Sequence, residues 1–418
     1  VRGALKGWAL TVAAAAALSG ATACDNLKTV ANPEVPLWVH HPGSAMSISE
    51  RRELTAESRI SGERYERGQP ELDPAHRRLF VGSSDRGLYA LDAADLKTLW
   101  RFETAGAVQC EPYYDPKEDA VYFGSNDGAL YKVRASDGEM LWRFASNGEI
   151  TRRILLHRDT LFVMNANDTL IAIHPDTGKL KWYRHRQPAA GMEISGYAGP
   201  AVLNDLVFSA FSDGIVMAYK VSDGAEAWLS PVDTVAISET GGGAEELRYL
   251  DVDTTPIIAR VDQADLLFVA SYEGGVMAFD ALSGTQVWRN DAALGVTELT
   301  LFEAPAKPRP GDNEPRVHRV LVASSGLTGL WGLSLDKGAE LWRRDLPTGG
   351  VTKAVPWAGA LLVGTTRYGL FLFHPLDGGV LDGVYAGGAF AATPAAHARR
   401  AFALTNKGAL LSLHIDPP

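Results

Sequence analysis

Residues 120–144 read AVYFGSNDGALYKVRASDGEMLWRF, and this stretch decides the fold. Val121, Phe123, Leu130, Tyr131 and Val133 mark two short β-rich runs, and Asn126-Asp127-Gly128 between them supplies residues that tolerate positive φ in a hairpin turn. Ala120 to Arg134 therefore reads as a β-hairpin. A second turn at Ser136-Asp137-Gly138 leads into Met140–Phe144, a third strand that carries Trp142, too large a side chain to leave in water without cause.

The unit recurs. Hairpins begin near Leu79, Ala120, Leu161, Leu206, Leu266, Val320, Leu361 and Ala401, and Gly and Trp four positions apart follow at Gly138/Trp142, Gly178/Trp182, Gly224/Trp228, Gly284/Trp288 and Gly338/Trp342. Two copies break the rule: the first keeps Trp100 but has Leu96 at the Gly position, and the seventh keeps Gly378 but has Asp382 at the Trp position. A further strand opens before most hairpins with a proline, permitted there because its nitrogen owes no ladder bond. A period of about 40 residues with four short strands is the signature of a β-propeller blade. The expected fold is all-β, an eight-bladed β-propeller of four-stranded antiparallel blades over residues 35–418, its ring closed by an N-terminal strand. The eighth copy reaches Pro418 before any Gly-to-Trp step, so the aromatic segment 36–40 is expected to share the last blade with residues 394–415. Trp38, Trp100, Trp142, Trp182, Trp228, Trp288 and Trp342 are expected to pack between blades, each indole N–H on a backbone carbonyl.

Arg2 and Lys6 precede an apolar run from Gly7 to Leu18, and small residues then lead into Cys24. Residues 1–23 read as a signal peptide, too short to span a bilayer. Ala21-Thr22-Ala23-Cys24 resembles a bacterial lipobox, which makes Cys24 the lipidated residue and 24–34 a linker. Asp25 resembles an inner-membrane retention signal, which leaves inner or outer membrane open. Removing Arg2 and Lys6 leaves 38 Lys and Arg against 50 Asp and Glu, a net charge of −12 that argues against a nucleic-acid partner. Cys110 would be the remaining cysteine, expected as a buried small hydrophobe.

Successive repeat tryptophans lie 42, 40, 46, 60 and 54 residues apart from Trp100 to Trp342, so inserts follow Trp182, Trp228 and Trp288. Loops on a rigid scaffold collect binding residues. The insert Glu303–Arg316 is Pro-rich and charged and reads as a solvated loop. The insert after Trp228 ends in Glu245-Glu246-Leu247-Arg248-Tyr249-Leu250-Asp251-Val252-Asp253-Thr254-Thr255-Pro256. On an extended strand Asp251 and Asp253 project to one side, ready for a basic partner; equally, both can cap local turns while Thr-Thr-Pro starts a strand.

That segment, with the lipobox and the repeats, resembles the BamB-like family of outer-membrane protein assembly lipoproteins, whose Glu-x-x-Arg-x-x-Asp-Val-Asp-Thr-Thr-Pro pattern it matches. The resemblance implies a scaffold on the periplasmic face of the outer membrane, anchored by lipid, that docks on a BamA-like barrel protein through its POTRA domains, with other assembly lipoproteins as further partners. It implies docking residues at Arg248, Asp251 and Asp253, and at Met192, Ile194 and Ser195 in the preceding insert, where Ser195 stands in place of the family's Arg. Quinoprotein dehydrogenases share the repeat and bind pyrroloquinoline quinone with calcium at the axis, but their vicinal Cys-Cys pair is missing from this sequence. No His or Cys/His spacing suits a metal, and neither a nucleophile elbow nor a P-loop occurs. No catalytic residue, metal or cofactor is expected; the second reading is a quinone- or small-ligand-binding propeller.

Overall fold

Every hairpin of the repeat is completed into a four-stranded antiparallel sheet, and there are eight such blades. The computed structural model describes residues 45–54, 65–187, 198–232, 251–306, 316–346 and 349–416, among which there is no helix. Blades 1 to 7 use consecutive strands, the first running Pro70–Asp73, Arg78–Gly82, Gly87–Asp92 and Thr98–Glu103, the second Tyr113–Asp115, Ala120–Gly124, Ala129–Arg134 and Met140–Ala145. The first strands of neighbouring blades touch around the axis. Second and third strands are almost wholly buried, as in Ala120–Gly124 and Ala129–Arg134, so their residues are mostly apolar, with Lys132 held by Glu118. The outermost strand alternates exposed and half-buried residues, which is why it can be polar.

The tryptophan and the glycine of the repeat belong to different blades. The indole N–H groups of Trp100, Trp142, Trp182, Trp228, Trp288 and Trp342 donate at 2.8–3.0 Å to the carbonyls of Ala135, Pro175, Val221, Ala281, Leu335 and Pro375, each in the following blade. The glycine of that following blade lies against the ring: a Cβ on Gly138, Gly178, Gly224, Gly284, Gly338 or Gly378 would fall under 3.0 Å from the tryptophan before it. The same glycines hold φ between +64° and +77°, so geometry and contact both select against a side chain.

The eighth blade joins the two ends of the described chain. Its strands are Ala395–His397, Arg400–Leu404 and Ala409–Ile415, and its outermost strand is Met46–Glu53, paired antiparallel with Ala409–Ile415. The closing place therefore does not fall to 36–40, which with Trp38 lies outside the described residues. The outer strand of a blade needs no apolar run, so the polar MSISERRE serves where the sequence pattern favours an aromatic segment. Glu50 pairs with Ser412 across the same bulge that places Trp100 opposite Ala90, so Glu50 holds the tryptophan position of this blade.

Both irregular repeats flank that blade. With no tryptophan in blade 8, blade 1 needs no glycine: Leu96 stands there at φ 57°, buried with Phe402, Leu404 and Leu410. With no Gly turn in blade 8, blade 7 carries Asp382 in place of tryptophan, fully buried. Its Oδ2 accepts the backbone N–H groups of Ala45 at 2.8 Å and Met46 at 2.6 Å, and its Oδ1 that of Gly383 at 2.7 Å. The insert after Trp288 also differs from a simple loop, because Glu303–Pro305 continue a strand paired with Val317–Arg319.

Candidate docking site and axial cluster

The inserts after Trp182 and Trp228 leave and return to the ring through hydrogen-bonded roots. Met192, Ile194 and Ser195 in the first, Arg248 in the second, and Cys24 lie outside the described residues. The first root begins at Arg186, whose guanidinium holds Asp213 (Nε 2.8 Å, Nη2 2.5 Å) and whose backbone N–H donates to Asp168 O at 3.0 Å. It ends at Gly199, whose N–H donates to Thr255 Oγ1 at 3.0 Å. The second root begins at Val232, buried, its carbonyl accepting Arg289 Nη1 at 2.9 Å. It ends in Asp251–Pro256, so Thr255 fastens the return of one insert to the return of the other. A Cβ on Gly199 would lie 2.7 Å from Thr255 Oγ1, which accounts for glycine there.

Asp251–Pro256 is an irregular extended segment ahead of the strand Ile257–Val261, not itself a strand. Val252 enters the apolar cluster with Phe208, Ala218 and Phe279, and its N–H donates to Phe211 O at 3.4 Å. Thr254 Oγ1 replaces a ladder partner, donating to Ala270 O at 3.1 Å and accepting Ala270 N–H at 2.7 Å. Asp251 and Asp253 are 4% and 5% exposed. They are therefore not surface carboxylates awaiting a basic partner, and lysine at either place would put a second cost, burial of an ammonium, on the fold.

Asp253 sits beside Arg152, a residue that no sequence motif singled out. Arg152 comes from the connection into blade 3; its Nη2 donates to Asp253 O at 2.8 Å and its Nη1 pairs with Glu298 in the first strand of blade 6. Burial pushes the Asp253 carboxyl up to about 7; Arg152 opposes the rise, while Asp251, Asp168 and Glu298 add to it. The neighbouring Arg153 turns to blades 1 and 2, with Nη1 at 2.5 Å from Glu111 and Nη2 at 3.3 Å from Glu71. Burial lifts Glu71 to about 7 as well, against Arg153 and with Glu111. Consecutive arginines thus tie five blades together, and only long-range geometry reveals it.

Beside this cluster a cavity of about 360 Å³ opens at the axis, lined by Glu71, Glu111, Arg153, Thr300, Lys353 and His397 among others. The quinone-and-calcium group of the dehydrogenases does not fit these residues. A planar quinone needs a ring to stack on, and the described residues of this wall offer no Trp, Tyr or Phe, while Arg153 is already paired with Glu71 and Glu111. Cys110, the one cysteine among the described residues, is fully buried with its thiol pushed up to about 12 by burial, so it is no nucleophile. Asp73, His76 and Asp119 bring ligand atoms within reach of one ion. Arg78 already occupies their centre, donating to Asp73 Oδ2 at 2.8 Å and pairing with Asp119, so the cluster is a closed ion-pair network.

Residues 116–304 match the protein family described as outer membrane protein assembly factor BamB. Among its relatives, BamB of Legionella pneumophila is 24% identical over 229 residues, 54% of this chain and 53% of that protein. BamB of Vibrio cholerae is 33% identical over 221 residues, 52% and 55% of the two. The chain spans about half the length of the curated relatives it matches. In fold, the crystal structure of BamB from Moraxella catarrhalis superposes over 88% of this chain and all of that one, with a TM-score of 0.67 at 18% identity. A quinohemoprotein alcohol dehydrogenase from Pseudomonas putida covers the same 88%, and 76% of its own length, with a TM-score of 0.65 at 12% identity. The chain is thus an eight-bladed propeller that is similar in sequence to BamB through its centre, and it shares its fold, no more, with the dehydrogenases.

Proposed function

We propose that this chain is a non-catalytic periplasmic scaffold of the β-barrel assembly machinery, docking on a BamA-like barrel protein through its POTRA domains and aiding insertion of outer-membrane proteins. One observation carries the reading: the matched stretch 116–304 contains both inserts and the Asp251–Pro256 segment that roots them. Partner contact belongs to the inserts, through Met192, Ile194, Ser195 and Arg248. Asp251 and Asp253 serve that contact from below, by fixing the segment on which both inserts return. Cys24 carries the lipid that holds the scaffold at the membrane, and Asp25 beside it decides between inner and outer membrane. The ion-paired axis disfavours the quinoprotein alternative.

The experiment is co-purification of the tagged, membrane-extracted protein with its barrel partner. Recovery of the barrel protein with the wild-type chain is expected. No recovery, together with quinone and calcium retained in equal amount with the protein, would replace this reading with the enzymatic one.

A further inference from the structure

Most blades repeat a lid as well as a tryptophan, and blade 3 leaves its place uncharged and exposed. In blades 1, 2, 5, 6 and 8 the outer strand places an arginine opposite the third-strand residue next to the turn: Arg101 opposite Tyr89, Arg143 opposite Tyr131, Arg289 opposite Met277, Arg343 opposite Trp331 and Arg51 opposite Leu411. Arg101, Arg143 and Arg343 lie over the facing aromatic rings at 5.4, 5.6 and 4.4 Å. In blades 1 and 2 the turn adds a carboxylate, Asp85 or Asp127, bonded to the hydroxyl of Tyr89 or Tyr131. Blade 4 borrows Arg186, which reaches Asp213 and Met217 Sδ. Blade 7 has Gly383 packed on Phe371.

Blade 3 has neither charge. Its arginine position is Tyr183, 56% exposed, opposite Ile171; its aspartate position is Asn167. The outcome is a groove of about 450 Å³ between blades 2 and 3, lined by Ser146, Asn147, Asn167, Thr169, Tyr183 and His185 among others, with no Asp, Glu, Lys or Arg among the described residues of its walls. Its polar groups are set in advance. Asn167 Nδ2 donates to Asn147 O at 2.5 Å, and His185 Nδ1 lies 3.1 Å from both Asn167 O and Thr169 Oγ1. A carbonyl only accepts, so Nδ1 of His185 carries the proton and the exposed ring offers Nε2 as an acceptor.

We infer that this groove binds a neutral oligosaccharide. Uncharged walls with amides, a hydroxyl and an imidazole acceptor answer hydroxyl groups that both donate and accept, and the open face of Tyr183 answers the C–H face of a pyranose. A charged ligand would find no counter-ion among the described residues of the groove's walls.

The test is ligand-observed saturation-transfer NMR and calorimetric titration of the full chain with maltotriose and with tri-N-acetylchitotriose, and with trialanine beside them. The expected result is saturable binding of at least one trisaccharide. Tyr183→Arg, which restores the lid that other blades hold at this register, should weaken it by about tenfold or more with an unchanged melting temperature. Asn147→Gly, which suits the φ of 61° at this exposed connection, is the second variant should Tyr183→Arg lower the melting temperature, and it should also weaken binding. Absence of transfer to both sugars, binding undiminished in both variants, or binding of trialanine in their place would overturn the inference.

Discussion

Six joints of the ring are alike and two are not. In the regular joint a tryptophan of one blade lies under a glycine of the next and donates its N–H to that blade's backbone. On either side of the split blade the chemistry is inverted: Asp382 stands where the tryptophan would be and accepts N–H groups from the closing strand, and Leu96 fills the place of the glycine. The difference teaches that the exceptions follow from chain connectivity. A blade made from two ends of the chain has no turn between its last two strands, so it offers no glycine to a ring, and its outer strand carries Glu50 where the ring would be. What it does offer is the unpaired N–H groups of a strand's first residues, and a buried carboxylate is the group that satisfies them.

The comparison can be broken from either side. Trp182→Ala empties a regular joint and should cost about 4 kcal/mol, read as a fall in the urea midpoint. Asp382→Ala should cost about 3 kcal/mol, because it strands buried N–H donors that had a charged acceptor; limited proteolysis should then cut first near Met46.

A second pair of buried carboxylates sharpens the contrast. Asp382 is satisfied by backbone donors, whereas Asp253 faces Arg152 among Asp251, Asp168 and Glu298 and has a folded pKa near 7 against an ordinary 3.8. Its folded value is the higher one, so the closed segment keeps a proton that the opened segment releases, and stability is lost as pH rises through 4 to 7. Hydrogen-exchange protection of 251–255, corrected for intrinsic rates, should fall between pH 5 and pH 7 by up to about tenfold per unit. A flat profile would contradict the buried, crowded carboxyl. The smallest effect concerns the closing strand: Glu50→Trp with Leu96→Gly rebuilds a regular joint. Glu50→Trp alone should destabilise, and the pair should show a favourable coupling of about 1 kcal/mol in a double-mutant cycle.

The fold was legible because the alternation of Val121, Phe123, Leu130 and Tyr131 and the positive-φ turns are local signals, repeated at a fixed period. The irregular positions Leu96 and Asp382 were visible too, but their reason was not, since it lies in residues more than 300 positions away along the chain. The closing strand was misplaced because aromatic content marks a strand in sequence, while an outer strand is chosen by register and need only present a backbone edge. The candidate site was legible as a motif and not as a geometry. Asp-Val-Asp-Thr-Thr-Pro stood out, yet its alternation suggested exposed carboxylates, and Arg152, which holds Asp253 from another blade, carries no motif at all. Nor does the missing lid at Tyr183 register until strands are aligned across blades.

The central claim is that Asp251 and Asp253 support docking by bracing the inserts and not by touching the partner. Asparagine at both positions keeps the shape of the buried groups and removes their charge. Co-purification of the Asp251→Asn, Asp253→Asn chain with the barrel protein tests the claim most directly: recovery equal to wild type is the predicted result. Loss of the partner from a variant with an unchanged melting temperature would contradict it.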